Sequence, residues 1–231
     1  MSAESQKKAA AEAALKFVEP GMKIGLGTGS TANYFTQALA KRVKEGLAVS
    51  CVATSRATHA LATSLGIAMT TLEKDPYLNY TFDGADEFDP KFRLIKGGGG
   101  ALLVEKIVAT SSKYVVTLAD QSKQVKKLGK FPLPVEVVAF GVKATGWKME
   151  MTFDKLKMKP KMSLRVKDGK PFRTDTGNCI IDCACGEIND PDNLDVMLNN
   201  IPGVVNNGLF IGISGIIMLA TDKGVEELRR E

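Results

Sequence analysis

The pattern that most constrains this chain is an alternation: apolar stretches of strand length give way to helical stretches, and the turn after each strand carries reactive or small residues. Residues 22–26 run into Gly27-Thr28-Gly29-Ser30-Thr31, and a helical pattern with Tyr34, Phe35, Ala38, Leu39 and Val43 follows. Residues 49–53 end at Thr54-Ser55-Arg56-Ala57-Thr58, ahead of a helix reaching about Leu65. Residues 67–71 read as a third strand, and residues 78–82 deliver Asp83-Gly84-Ala85-Asp86-Glu87. Residues 92–95 lead into Lys96 and four consecutive glycines; 101–110 read as a helix, and 114–119 as a strand closing on Asp120, Ser122 and Lys123. Strands and helices in such alternation predict a doubly wound, mostly parallel, Rossmann-like α/β sheet. Ligands of such sheets sit outside the carboxyl ends of the strands. The turns at 27–31, 54–58, 83–87 and 96–100 all fall there, and this convergence says more than any one motif.

The rhythm changes near Leu133. Residues 135–140 read as a strand, 141–156 as partly helical around the single Trp147, and 157–167 as a basic strand-like stretch ending at the hairpin signal Asp168-Gly169. Thr174–Asn178 leads into the strand CIIDCAC, and 193–200 reads as a short helix. This order predicts a smaller α+β insert of ferredoxin-like type over 133–204. The catalytic domain would comprise 1–132 plus 205–231, the chain returning to the main sheet through 203–205 and 209–212, with 216–220 as its last strand. Residues 4–18 read as the first helix, ended by Pro20-Gly21. The lysines of 155–170 read as a solvated face.

A length of 231 residues suits one large α/β domain, or one domain with an insert. The net charge of +5 is modest and spread along the chain, which favours a small anionic substrate over a nucleic-acid surface. No apolar run approaches the roughly 20 residues of a membrane span. The alanine- and lysine-rich beginning lacks the layout of a signal peptide, so a cytoplasmic location is expected. Of the four cysteines, Cys179, Cys183 and Cys185 would share one face of a strand, the position of buried apolar thiols rather than of zinc ligands. We therefore expect no metal and no cofactor. The only histidine, His59, lies in a helical stretch.

Chemistry narrows the field further. A glycine turn between a strand and a helix N-terminus lets backbone N–H groups approach an anion, and Ser30 and Thr31 add hydroxyls, which suits one phosphate group. The turn matches neither Walker A nor a full G-x-G-x-x-G pattern. Four glycines in a row cost backbone entropy and pack nothing, so they read as a ligand loop. Together with Lys96 they offer donors for an oxyanion, and Glu105, early in the following helix, can lean back toward the loop as a general base. Base plus oxyanion donors, without an evident nucleophile, favours enolisation. Taken singly, Glu105 also fits a solvated helix position, Asp83 and Asp86 fit turn and cap roles, and Lys96 fits a surface charge.

The segments GTGSTA, TSRAT, DGADE, KGGGGALLVEK, LADQSK and TDTGN…PGVVNNGLF, in order along the chain, closely resemble ribose-5-phosphate isomerases of the A type. The resemblance implies interconversion of ribose 5-phosphate and ribulose 5-phosphate through a cis-enediolate, in the non-oxidative pentose phosphate pathway. It implies Glu105 as the base, Lys96 with the amides of Gly97, Gly98 and Gly99 as holders of the enediolate oxygen, and Asp83 and Asp86 as partners of the sugar hydroxyls. Thr28, Gly29, Ser30, Thr31, Gly84 and Ala85 would line the substrate site, and Lys123 and Lys7 would neutralise phosphate. It further implies a homodimer or homotetramer. A sugar-phosphate deaminase or lactonase is the nearest rival, though a deaminase would call for a catalytic histidine. A sugar-phosphate-sensing domain would need no base.

Overall fold

In the computed structural model, which describes residues 1–230, the alternating half of the sequence forms a seven-stranded sheet. Its order is Gly224–Arg229, Ile216–Thr221, Ser112–Asp120, Leu78–Gly84, Lys23–Leu26, Ser50–Ala53, Ala68–Met69. All neighbours are parallel except the first pair, which is antiparallel. Helices α1 (Ala3–Ala14), α2 (Ser30–Lys44), α3 (Arg56–Ser64) and α4 (Leu102–Thr110) connect the strands. On α1, Ala10, Ala11 and Ala14 are fully buried, so the small residues form a tight face against one core with Leu26, Phe35, Phe82 and Val116. Phe35 of α2 stacks on Phe82 at 4.1 Å between ring centroids, worth about 0.5–1.5 kcal/mol beyond the area buried. Val108 of α4 packs with Val52 and Leu78 in a separate apolar cluster. The doubly wound, Rossmann-like expectation holds.

The chain separates into two compact units, the first formed by residues 1–85, 104–124 and the segment from Gly212 onward. The second comprises Asp86–Leu103 and Val125–Ile211. Its main sheet runs Val204–Asn207, Leu133–Val137, Cys179–Ala184, Lys161–Leu164, antiparallel throughout. Helix α5 (Val142–Lys155) follows the first of these strands in the chain, and α6 (Pro191–Asn199) precedes the last. Strand–helix–strand–strand–helix–strand in that spatial order is the ferredoxin-like arrangement. Leu133, Val135 and Val137 face the core of this unit with Met149, Phe153, Cys179, Ile181 and Cys183. Between Val166–Lys167 and Lys170–Pro171, Asp168 and Gly169 both take positive φ (52° and 73°), the turn that D-G signals.

Several boundaries depart from the sequence expectation. The segment 203–212 does not return to the parallel sheet. Val204–Asn207 joins the antiparallel sheet, and Leu209–Phe210 pairs with Leu94–Ile95, which pairs with Glu87–Phe88. Ile95 and Leu209 are buried in the second unit's core, which draws Asp86–Leu103 into that unit. Ile216–Thr221 is not the last strand either, because Gly224–Arg229 folds back on it. The polar alternation of GVEELR hid that edge strand. Leu15–Phe17 forms a short 3-10 turn rather than a continuation of α1.

Candidate active site

On the first unit, the glycine turn joins Lys23–Leu26 to α2. Gly29, with φ of 113°, is the N-cap of α2 and supplies no side-chain acceptor, whereas Ser2, Ser55 and Asp190 cap α1, α3 and α6 with their side chains. The first turn of α2 thus has no side-chain cap of its own. Asp83, 4% exposed, accepts from the Thr28 amide at 3.1 Å and the Gly84 amide at 2.8 Å. A β-carbon on Gly27 would collide with the Asp83 backbone and carboxylate, so that close approach requires glycine. Thr28 Oγ1 turns inward: it lies 2.7 Å from Thr54 Oγ1, 2.8 Å from Ser55 Oγ and 3.2 Å from Thr58 Oγ1. Thr54 and Thr58 donate in turn to the Leu26 and Gly27 carbonyls. The TSRAT run is therefore a brace for the turn. Thr28 spends its amide and hydroxyl holding shape, while Gly29, Ser30 and Thr31 open α2, Gly29 and Ser30 exposed and Thr31 buried.

Glu105 stands in the first turn of α4 and is 3% exposed. Lys123 ends the 3-10 turn Gln121–Lys123, whose cap is Asp120. Lys7, on α1, lies 3.4 Å from Glu4 Oε2, and Glu4 also accepts from the Tyr34 hydroxyl of α2 at 2.5 Å. That hydroxyl, and less strongly Lys7, holds the Glu4 carboxyl below its ordinary range, so Glu4 stays anionic beside Lys7.

On the second unit, Asp86 Oδ2 accepts the Gly98 amide at 2.8 Å, and the Asp86 amide donates to Ile95 O at 2.9 Å. Lys96 is 5% exposed, with its ammonium 5.4 Å from the Phe210 ring centroid and its amide on Gly208 O at 2.9 Å. The glycines that follow make a β-turn closed by Gly100 N–H on Gly97 O at 3.0 Å. Gly97 and Gly100 are buried and Gly98 and Gly99 are exposed, so the tip of the turn meets solvent. Gly97 and Gly100 have φ of 103° and 82°, and a β-carbon on Gly100 would lie 2.5 Å from the Phe172 ring. Arg165 reaches the loop from its other side, donating Nη1 to Gly97 O (2.9 Å) and Gly98 O (3.1 Å).

The DGADE motif thus divides: Asp83 and Gly84 end the strand Leu78–Gly84 and Ala85 follows it in the first unit, and Asp86 and Glu87 open the first segment of the second unit. The candidate residues form two sets. Thr28, Gly29, Ser30, Thr31, Asp83, Gly84, Ala85, Glu105, Lys123 and Lys7 lie on the first unit; Asp86, Lys96, Gly97, Gly98 and Gly99 lie on the second. Among the loop amides, that of Gly98 is already taken by Asp86. Arg165 was invisible in the sequence, where it sat within a lysine-rich stretch that reads as solvated. Its partner Asp182 lies on a strand that no local pattern links to it.

The architecture defines the class: a Rossmann-like α/β protein with a ferredoxin-like α+β unit. The particular family comes from comparison. Residues 50–224 match the family described as ribose 5-phosphate isomerase A (phosphoriboisomerase A). The chain is 56% identical to ribose-5-phosphate isomerase A of Parvibaculum lavamentivorans over 98% of each chain. Among solved structures, ribose 5-phosphate isomerase from Plasmodium falciparum superposes with a TM-score of 0.94 at 35% identity, covering 99% of each chain. A D-ribose-5-phosphate isomerase in complex with phospho-erythronic acid gives 0.92 at 39%, covering 100% of both. The chain belongs to the ribose 5-phosphate isomerase A family, and so to the aldose–ketose isomerases.

Proposed function

We propose that the protein interconverts D-ribose 5-phosphate and D-ribulose 5-phosphate through a cis-enediolate, with Glu105 as the base. Family membership and the burial of Glu105 support the reading. The carboxylate is 3% exposed in the first turn of a helix that begins directly after the lysine–glycine loop. A buried carboxylate at a helix start is held in one place, as a proton shuttle requires. Glu105 takes the C2 proton of the open-chain aldose and returns it to C1, while the O2 proton passes to O1. Lys96 and the loop amides hold the charge on the enediolate oxygens. Asp83 and Asp86 pair with sugar hydroxyls and assist ring opening, with Gly84 and Ala85 lining the site. The Gly29–Thr31 end of α2, with Lys123 and Lys7, neutralises the phosphate. The enzyme works as a homodimer or homotetramer in the cytoplasm.

Glu105→Gln tests the reading. Turnover of ribose 5-phosphate should fall by at least about 10³-fold, since the base is removed rather than weakened, while inorganic phosphate still competes for binding at its wild-type affinity. Ordinary turnover in that variant would end the assignment. A wild-type chain that binds ribose 5-phosphate without converting it would instead make this a sensor.

A further inference from the structure

Arg165 joins three things inside the second unit. Its Nε and Nη2 fork onto Asp182, at 2.9 Å to Oδ2 and 2.5 Å to Oδ1. Its Nη1 donates to the carbonyls of both Gly97 and Gly98. Its guanidinium lies 5.9 Å from the ring centroid of Phe172, the ring that fills the space against Gly100. The bidentate fork on Asp182 fixes the plane and position of the guanidinium, so the third N–H direction is aimed and not floppy.

That aim has a consequence for the loop. In a trans peptide the C=O and the next N–H point in opposite directions. With the Gly97 and Gly98 carbonyls directed at Arg165, the amides of Gly98 and Gly99 are directed to the opposite side. The Gly98 amide is consumed there by Asp86 Oδ2. Gly99 carries the other amide of that side, at the exposed tip of the turn. The peptide between Gly98 and Gly99 is the central one of the β-turn, and the two common turn types differ by a half-rotation of it. Glycines at both corners make that flip sterically cheap. An unrestrained loop would therefore divide its time between an amide and a carbonyl facing a ligand, and a carbonyl would repel an enediolate.

We propose that Arg165 is a positioning residue that locks the Gly98–Gly99 peptide with its amide outward, so that Gly99 N–H serves as the preorganised oxyanion donor. Asp182 is the anchor that keeps Arg165 in place. The guanidinium also polarises both peptides and strengthens the outward amide. The inference rests on the proposed isomerase reading.

The test compares Arg165→Met with wild type and Glu105→Gln. Readouts are ribose 5-phosphate kinetics, inhibition by inorganic phosphate, and affinity for 4-phospho-erythronate, whose carboxylate mimics the charged oxygens of the enediolate. The kcat of Arg165→Met should fall about 10- to 100-fold, less than the roughly 10²- to 10³-fold cost of deleting an oxyanion donor, because the Gly99 amide remains and is only misaimed part of the time. The phosphate inhibition constant should stay at its wild-type value, 4-phospho-erythronate should weaken in step with kcat, and added guanidinium should partly restore an Arg165→Ala variant. A kcat near wild type, or equal loss of phosphate and 4-phospho-erythronate affinity, overturns the role. If Arg165→Met does not fold, Asp182→Asn is read in the same way and decides it. A wild-type chain without turnover brings down both readings; an active wild type beside an equally active Arg165→Met brings down only this one.

Discussion

Glu87 and Glu105 are each 3% exposed, yet they have different occupations. Glu87 accepts the Gly129 amide at 2.8 Å and the Phe131 amide at 2.5 Å, pinning the stretch before Leu133–Val137. Glu87→Gln turns one acceptor into a donor facing an amide, and should cost about 1–3 kcal/mol in chemical denaturation while leaving kcat near wild type. A loss of turnover without loss of stability would contradict that division. The thiols make a second residue-scale case. Burial pushes Cys51 up to about 12 from an ordinary 9.0. Because the folded value is raised, this thiol's contribution is fully present below pH 9 and is lost as pH rises toward 12. Denaturation midpoints at pH 8 and pH 10.5 should therefore drop more in wild type than in Cys51→Ala, whatever the cavity cost common to both pH values. Equal drops would show that Cys51 ionises as freely in the folded chain as in the unfolded one.

Among the elements, the helices and central strands were legible because period and punctuation agree: apolar 3.6-residue spacing in α2, Gly at turns, Pro20-Gly21 after the first helix, and the hydroxyl run 54–58 ahead of α3. The glycine loop and the acidic turn were legible because no core has use for them. What escaped was long-range pairing. Leu209–Phe210 reads like a strand for any sheet, and only its pairing with Leu94–Ile95 assigns it. The TDTGN segment was legible as a motif but not as a device. In the fold, Thr174, Thr176 and Asn178 all donate to Glu136 Oε1, which is 0% exposed. At the glycine turn, Gly27→Ala would force its β-carbon onto Asp83. Overpacking of this kind costs about 1–3 kcal/mol, and the displaced carboxylate would let go of Thr28. The expected outcome is a lowered Tm with weakened phosphate competition; an unchanged phosphate affinity would mean that the turn tolerates the shift.

For the whole molecule, the α/β plan was readable and the edges of its two units were not. Sequence drew the insert at 133–204, whereas Asp86–Leu103 clusters with Val125–Ile211 because Ile95 packs beside Leu209 and Val135. The chemistry proposed needs only groups that the chain itself carries, so turnover should persist after dialysis against EDTA. Activity lost to the chelator and restored by zinc would redirect attention to Cys179, Cys183 and Cys185. The final strand, Gly224–Arg229, has a quieter role. It pairs along the whole of Ile216–Thr221, whose residues Ile216, Ile217, Met218, Leu219 and Ala220 are nearly all backbone and hydrocarbon. Along it stand Glu226, Glu227 and Arg229, charges on an edge strand that discourage another chain from docking edge to edge. A chain stopped after Lys223 would lay bare a greasy ribbon of unsatisfied amides and carbonyls, a template for aggregation. The strand the sequence pattern concealed is thus the one that keeps this sheet edge from recruiting stray strands in a crowded solution.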